Sequence, residues 1–181
     1  MKQPYVLIGV ILILGLLCLR SQANAAEQKF TGSFAGSGVR TQIDTNADGM
    51  RAVAATGKGK TNMGPITYQG IGDSLPRLSA VSTCPQGTWE FPLLMYQSVL
   101  YFEESGELLY THMSSGISCY DPNTNMLSFK GKGTFNGGTG KFAEATGSFE
   151  SRTTSKMLLP TPTGNEFESI DGQFTGTLIT P

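Results

Sequence analysis

The length, composition and charge of the chain favour a small globular protein and exclude a polybasic one. The 181 residues carry 13 lysines and arginines against 14 aspartates and glutamates, for a net charge of −1. The chain therefore lacks the excess of positive charge that binds nucleic acid or an anionic membrane surface. We therefore predict neither as a partner.

The N-terminal segment has the pattern of a secretory signal peptide. Lys2 precedes an apolar run at 6–19, and Ala23 and Ala25 frame an A-x-A site. The run is shorter than the roughly 20 residues that a membrane-spanning helix needs, which disfavours the alternative of an uncleaved anchor. We predict cleavage after Ala25 and a secreted or periplasmic location.

The mature chain is predicted to be a single domain. Removing residues 1–25 from the 181 leaves 156 residues at 26–181, enough to bury a core. Lys2 and Arg20 leave with the signal peptide, so 11 basic side chains remain against 14 acidic ones, a net charge of −3. This charge predicts no membrane contact after cleavage.

Apolar and polar side chains alternate along several segments of the mature chain. From 127 to 135 the odd positions are Leu127, Phe129, Gly131, Gly133 and Phe135, and the even positions are polar. The same period of two recurs from 170 to 178 and close to the start of the mature chain. It is typical of β-strands that turn one face toward water.

The alternating segments number eight or nine, which suits a closed antiparallel barrel. They lie near 29–39, 51–61, 65–73, 77–83, 96–104, 107–114, 126–135, 142–151 and 168–179. Glycine recurs at their inward positions, where a strongly curved sheet is crowded and favours residues without a Cβ. The predicted fold class is all-β, a closed antiparallel barrel of eight or so strands.

The stretch IDTNADGM at 43–50 contains the first half of a calcium-loop motif. Asp44, Asn46 and Asp48 alternate ahead of Gly49, as the oxygen ligands of such a loop do. The twelfth loop position is Ala55 instead of a bidentate glutamate, which favours a simple turn between the first two strands. No cofactor is therefore predicted, and calcium, completed by a carboxylate from another loop, is the alternative.

Cys84 and Cys119 are the two cysteines of the mature chain. In an oxidising compartment two cysteines in one small domain most simply form a disulfide, which we predict here. A metal site is disfavoured because the chain has no C-x-x-C spacing and His112 is its single histidine.

Catalytic motifs are missing from the sequence, so an enzyme is not the first interpretation. There is no G-x-S-x-G elbow, and the parity of His112 with Leu108 and Tyr110 predicts a histidine of the core or cavity. Glu103, Glu104 and Glu107 are interpreted as a solvated hairpin tip. No catalytic or ligand-binding residue is assigned.

The middle of the chain is rich in aromatic residues that could surround an apolar ligand in a barrel of this size. These are Trp89, Phe91, Tyr96, Tyr101, Phe102, Tyr110 and Tyr120. The segment CPQGTWEFPLLMYQ at 84–97 is predicted to be a long loop over one barrel mouth.

The glycine-rich stretch FNGGTGKFAEATGSFE at 135–150 is predicted to connect two strands. A nucleotide-binding loop would need G-x-G-x-x-G followed by a helix, whereas Glu144, Thr146, Ser148 and Glu150 alternate as in a strand. The glycines are therefore turn residues, and at least one should have a positive φ.

The segment GGTGKFAEATGSF, followed near the C-terminus by DGQFTGTL, resembles a known family. It is similar to the G-G-T-G-x-F-x-x-A-x-G turn and strand of the allene oxide cyclase barrel-like superfamily, which includes plant dirigent proteins. Family members of this kind are eight-stranded antiparallel barrels with a central cavity. The resemblance implies that fold and carries over no catalytic residue.

Two functions follow from these observations. The first is a secreted barrel that binds a small apolar ligand or a macromolecular partner without catalysis. The alternative is an enzyme like allene oxide cyclase or the dirigent proteins, which steers a reactive intermediate in the cavity. Charged side chains inside the barrel would favour the enzyme, and an apolar lumen would favour binding.

Any stabilisation by calcium is expected to require Asp48, because no other stretch alternates oxygen ligands ahead of a glycine. Melting temperatures of the mature protein and of Asp48→Ala, measured with calcium and with magnesium as the control cation, test this. Equal stabilisation of both proteins by calcium would show that the loop is only a turn.

Overall fold

The computed structural model describes residues 25–41, 51–75, 83–160 and 166–181. The strands of this part of the chain are β1 (Ala26–Arg40), β2 (Arg51–Thr61), β3 (Gly64–Ser74), β4 (Trp89–Phe102), β5 (Leu108–Asp121), β6 (Met126–Gly138), β7 (Thr146–Pro160) and β8 (Glu166–Thr180). The predicted signal peptide before Ala25, the calcium-loop residues and most of the strand predicted at 77–83 lie outside the described residues.

Each strand pairs antiparallel with its neighbour in sequence, and the sheet closes on itself. The closing pair is β8 with β1, which are in register from Ala26 opposite Thr180 to Arg40 opposite Glu166. The predicted closed antiparallel barrel is therefore confirmed, with eight strands.

The two ends of the barrel differ in their connections. At the end that we call lower, β2–β3, β4–β5 and β6–β7 are joined by the short segments 62–63, 103–107 and 139–145. At the opposite, upper end β5 and β6 are joined by the short segment 122–125, but the connections at 41–50 and 75–88 are longer. The glutamates of 103–107 lie in a lower connection, as the hairpin-tip interpretation predicted.

The loop predicted over 84–97 is wrong for most of its length, because β4 already begins at Trp89. Phe91 is buried and faces the lumen, as does Tyr96 further along the strand. The register between β3 and β4 shifts at Asp73/Ser74: Asp73 pairs with Met95, but the next residue, Ser74, pairs with Leu93. The inward side chains of β4 are therefore odd-numbered before this point and even-numbered after it. This bulge hides the alternation that would otherwise reveal the strand.

Inward glycines lie opposite inward aromatic rings on neighbouring strands. Gly32 pairs with Phe174, Gly172 with Phe34, Gly57 with Tyr68, Gly72 with Tyr96 and Gly133 with Phe149. A Cβ built on Gly57 would lie 2.5 Å from the ring of Tyr68, and one on Gly133 would lie 2.7 Å from the ring of Phe149. The sequence analysis attributed these glycines to curvature, and the structure adds that they make room for the rings.

An aromatic cluster fills the lower half of the barrel. Phe30 stacks on Phe174 with ring centroids 5.3 Å apart and meets Phe135 edge-on at 5.2 Å. Phe142, from the β6–β7 connection, is fully buried and stacks on Phe102 at 4.7 Å. The lower end is thus closed by packed side chains.

The glycine-rich stretch connects two strands, as predicted, and Gly137 and Gly140 have φ values of +76° and +56°. The predicted start of the following strand at 142 is wrong, because Gly140–Phe142 forms a 3₁₀ turn and β7 begins at Thr146. The turn directs the side chain of Phe142 into the aromatic cluster at the lower end of the barrel. The alternation of a strand does not reveal this packing, because Phe142 is not part of a strand.

The predicted disulfide between Cys84 and Cys119 is confirmed, with Cα atoms 5.6 Å apart. It links the long β3–β4 connection to β5 at the upper end. In the chain-entropy model a loop of this length contributes roughly 3 to 4 kcal/mol to stability.

Gly140→Ala is expected to lower the free energy of unfolding by about 2 kcal/mol, and Gly106→Ala by about 1 kcal/mol. Both glycines have positive φ, but a Cβ on Gly140 would collide with the Glu107 carboxylate, whereas one on Gly106 would meet no atom within 4 Å. That carboxylate accepts the Lys141 backbone N–H at 2.8 Å. Urea denaturation measures both losses, and an unchanged stability of Gly140→Ala would contradict the assignment.

Candidate functional site

The upper half of the lumen encloses a cavity of about 90 Å³, which we call the upper cavity. It is lined by inward side chains of β1 to β8. The polar ones are Arg40, Tyr68, Ser74, Tyr96, Ser118, Ser151, Thr153, Ser155 and Glu168. Phe34, Tyr68, Met113 and Ser151 also line a deeper cavity of about 40 Å³ that adjoins the aromatic floor.

Arg40 and Glu168 bring opposite charges to this lumen. Arg40 ends β1 opposite Glu166, and Glu168 lies opposite Gly38, so the two are diagonal neighbours on the inward face. Gly38 leaves room for the carboxylate, because a Cβ there would lie 3.0 Å from Glu168 Oε1. Arg40 and Glu168 are 5% and 4% exposed, so both charges are buried.

The charged groups of Arg40 and Glu168 do not pair with each other. Arg40 Nε and Nη1 and Glu168 Oε2 are buried without a hydrogen-bond partner, as are Tyr68 Oη and Ser74 Oγ. The guanidinium carbon of Arg40 lies 5.5 Å from the centre of the Phe91 ring, a cation–π distance. Buried polar atoms of this kind are costly unless something supplies their hydrogen bonds.

Two tyrosines contribute neutral phenols to the same region. Burial, followed by the negative charge of Glu168, raises the pKa of Tyr68 to about 12. Burial also raises the pKa of Tyr96, with smaller contributions from Tyr68 and Glu168. Both phenols therefore stay protonated at neutral pH, and Tyr68 can donate a hydrogen bond into the cavity.

Small hydroxyl side chains keep the upper lumen open. Ser118, Ser151 and Ser155 are buried on three inward positions of β5 and β7. Below them, Ser98 and Thr111 share a hydroxyl–hydroxyl hydrogen bond of 2.6 Å. The inward positions of the upper half carry these small serines, whereas the inward positions of the lower half carry phenylalanines.

The prediction that His112 belongs to the core or cavity is wrong. Leu109, Thr111 and Met113 are the buried residues of this part of β5, so His112 faces the outer wall, opposite Gln97. Tyr110, which shares its parity, is 38% exposed. The inward series of β5 is the one that contains Leu109, Thr111 and Met113. Periodicity alone could not decide which of the two alternating series faces the lumen.

The predicted aromatic wall is correct only in part. Phe91, Tyr96 and Phe102 face inward, but Tyr101 and Tyr110 are exposed on the outer wall. Asp44, Asn46 and Asp48 lie outside the described residues. Among the residues that the structure describes, no group of three or more histidine, cysteine or acidic side chains is arranged to hold a metal ion.

Arg40 and Glu168 are not among the residues predicted from the sequence, although the sequence contains a signal for both. Arg40 continues the inward series of Phe30 and Phe34, and Glu168 has the parity of Ile170 and Phe174. A charged residue that extends an inward series at a strand end points into the barrel mouth.

Comparisons with known proteins give no family for this chain. No protein-family model matches it, and a search of curated proteins finds no match. The similarity to the allene oxide cyclase barrel-like superfamily thus stays a prediction. In the described ranges, no helix has the length and apolar character needed to cross a bilayer.

Tyr68→Phe is expected to flatten the loss of stability between pH 10 and pH 12. Because the folded-state pKa of about 12 lies above the ordinary 10.0, the unfolded chain ionises first and stability falls as pH rises through this window. The wild type should lose about 2 kcal/mol more than the variant there. At pH 7 the variant should be no less stable, because the lost hydroxyl has no partner.

Urea denaturation at a series of pH values provides the measurement, with Tyr101→Phe on the outer wall as the control. Equal alkaline slopes for the wild type and Tyr68→Phe would contradict the assignment.

Proposed function

We propose that this is an exported barrel protein that binds a small molecule in the upper cavity without catalysis. The observation that carries the proposal is the set of buried polar atoms of Arg40, Tyr68, Ser74 and Glu168 that lack hydrogen-bond partners around one cavity. The predicted signal peptide and the Cys84–Cys119 disulfide support export.

The lining changes the expected ligand from an apolar molecule to an amphipathic one. Arg40 and Glu168 offer a hydrogen-bond donor and an acceptor, whereas Phe34, Met113 and Phe129 offer apolar contact. Ligand sites commonly combine a mostly apolar wall with a few polar groups that fix orientation.

A macromolecular partner, the other expected occupant, would meet the outer wall, where Ile71, Leu158 and Phe167 are exposed. The buried side-chain polar atoms that lack a hydrogen-bond partner, among the described residues, belong to side chains that line the upper cavity and not to that surface. The lumen is therefore the better supported site.

An enzyme similar to allene oxide cyclase or the dirigent proteins is the second candidate, favoured by the charges in the lumen. In that role Glu168 would accept a proton and Arg40 would stabilise negative charge on the reacting molecule. Protonated Tyr68 would supply a hydrogen bond.

Native mass spectrometry of the protein purified from its own host tests the proposal. We expect a retained small molecule with the wild type and with Ser148→Leu, whose side chain faces solvent on β7. Ser151→Leu, three residues along the same strand, should lose it because Ser151 borders both cavities. Thermal unfolding checks that each variant is folded.

Two results would contradict binding in the lumen: no retained molecule in the wild type, or equal retention by folded Ser151→Leu. Conversion of the molecule by the purified protein, stopped in Glu168→Gln without loss of binding, would replace the binding function by the enzyme.

A further inference from the structure

We propose that the molecule bound in the upper cavity is a small hydroxy acid, with its carboxylate on Arg40 and its hydroxyl hydrogen donated to Glu168. This inference rests on the proposed function and names the ligand class of the same cavity. It follows from the donors, the acceptor and the volume that the lumen provides.

Arg40 specifies the anionic group. Its Nε and Nη1 atoms carry three N–H donors in total, and none of them has an acceptor. The guanidinium stays charged at all relevant pH values and recognises carboxylates through charge-assisted hydrogen bonds. Phe91 contacts the cation through its ring but cannot neutralise it.

Glu168 specifies a donor on the same molecule. Its Oε2 atom is buried and accepts no hydrogen bond. A second carboxylate beside it would be repelled, so the ligand must turn a hydrogen-bond donor toward Glu168 while its acid group lies on Arg40, and a hydroxyl is the donor that we propose. The diagonal placement of the two side chains on β1 and β8 makes this two-point contact feasible for one compact molecule.

The volume limits the ligand to a few carbons. The upper cavity of about 90 Å³ is smaller than the roughly 150 Å³ that accommodates benzene in an engineered protein cavity. Phe34 and Met113 border both this cavity and the deeper one of about 40 Å³, so a short alkyl chain would point toward the floor. A hydroxy acid of two or three carbons, which has no more non-hydrogen atoms than benzene, fits these limits.

Three matched probes test the inference on the mature, disulfide-bonded protein: 2-hydroxypropanoate, propanoate, which lacks the hydroxyl, and 2-hydroxypropanamide, which lacks the charge. Isothermal titration calorimetry gives the affinities, and the Met113 methyl resonance reports whether the lumen is entered. We expect 2-hydroxypropanoate to bind about tenfold or more tightly than either analogue.

Variants assign each preference to its residue. Arg40→Met should remove the preference for the acid over the amide, and Glu168→Gln should reduce the preference for the hydroxylated acid over propanoate. Arg152→Met on the outer wall is the control and should change neither, because Arg152 is exposed. Removing one of two buried opposite charges leaves the other uncompensated and lowers stability, so thermal unfolding checks that each variant is folded at the titration temperature. The comparison of the three probes on the wild type tests the ligand class without the variants.

The outcomes separate the ligand class from the proposed function. Binding of the amide as tight as that of the acid would overturn the inference and leave binding in the lumen intact, and so would a retained host molecule without an acid group. Failure of all three probes, together with no retained host molecule, would overturn both.

Discussion

The structure depends on the packing of aromatic rings against inward glycines of neighbouring strands. Between β1 and β8, which close the barrel, this packing occurs in both directions, with Phe34 opposite Gly172 and Phe174 opposite Gly32. Between β2 and β3 it recurs, with Tyr68 opposite Gly57. Rings with large apolar area fit inside a narrow barrel only where the facing residue has no side chain. Glycine, which weakens an ordinary strand, is the residue that this closure requires.

This packing divides the lumen into two levels. Below, fully buried Phe30 and Phe142 belong to an aromatic cluster that leaves only a cavity of about 40 Å³ beside it. Above, serines replace phenylalanines, and the last inward positions of β1 and β8 carry Arg40 and Glu168. The short connections close the lower end, whereas the disulfide ties down a longer connection at the upper end. A site in this barrel therefore lies in its upper half.

The buried charges of Arg40 and Glu168 do not by themselves distinguish a binding protein from an enzyme. The other side chains that line the cavity have to be considered with them. Glu168 raises the pKa values of Tyr68 and Tyr96 in addition to the effect of burial, so the region holds one cation, one carboxylate and two neutral phenols. Such a set can fix a ligand by complementary hydrogen bonds or assist a proton transfer. The Nε and Nη1 donors of Arg40, which are buried without acceptors, favour an anionic ligand in either function.

The sequence by itself determined most of the strands, the barrel class, the turn within 135–150 and the Cys84–Cys119 pair, because alternation, glycine placement and cysteine count are local or countable properties. Only the tertiary structure decided which parity faces inward in β5, where His112 proved to lie outside. It also decided how the bulge in β4 shifts that parity and how Arg40 and Glu168 meet around one cavity. These features depend on register between strands distant in sequence, and pairing across the barrel is a long-range property that no single segment encodes.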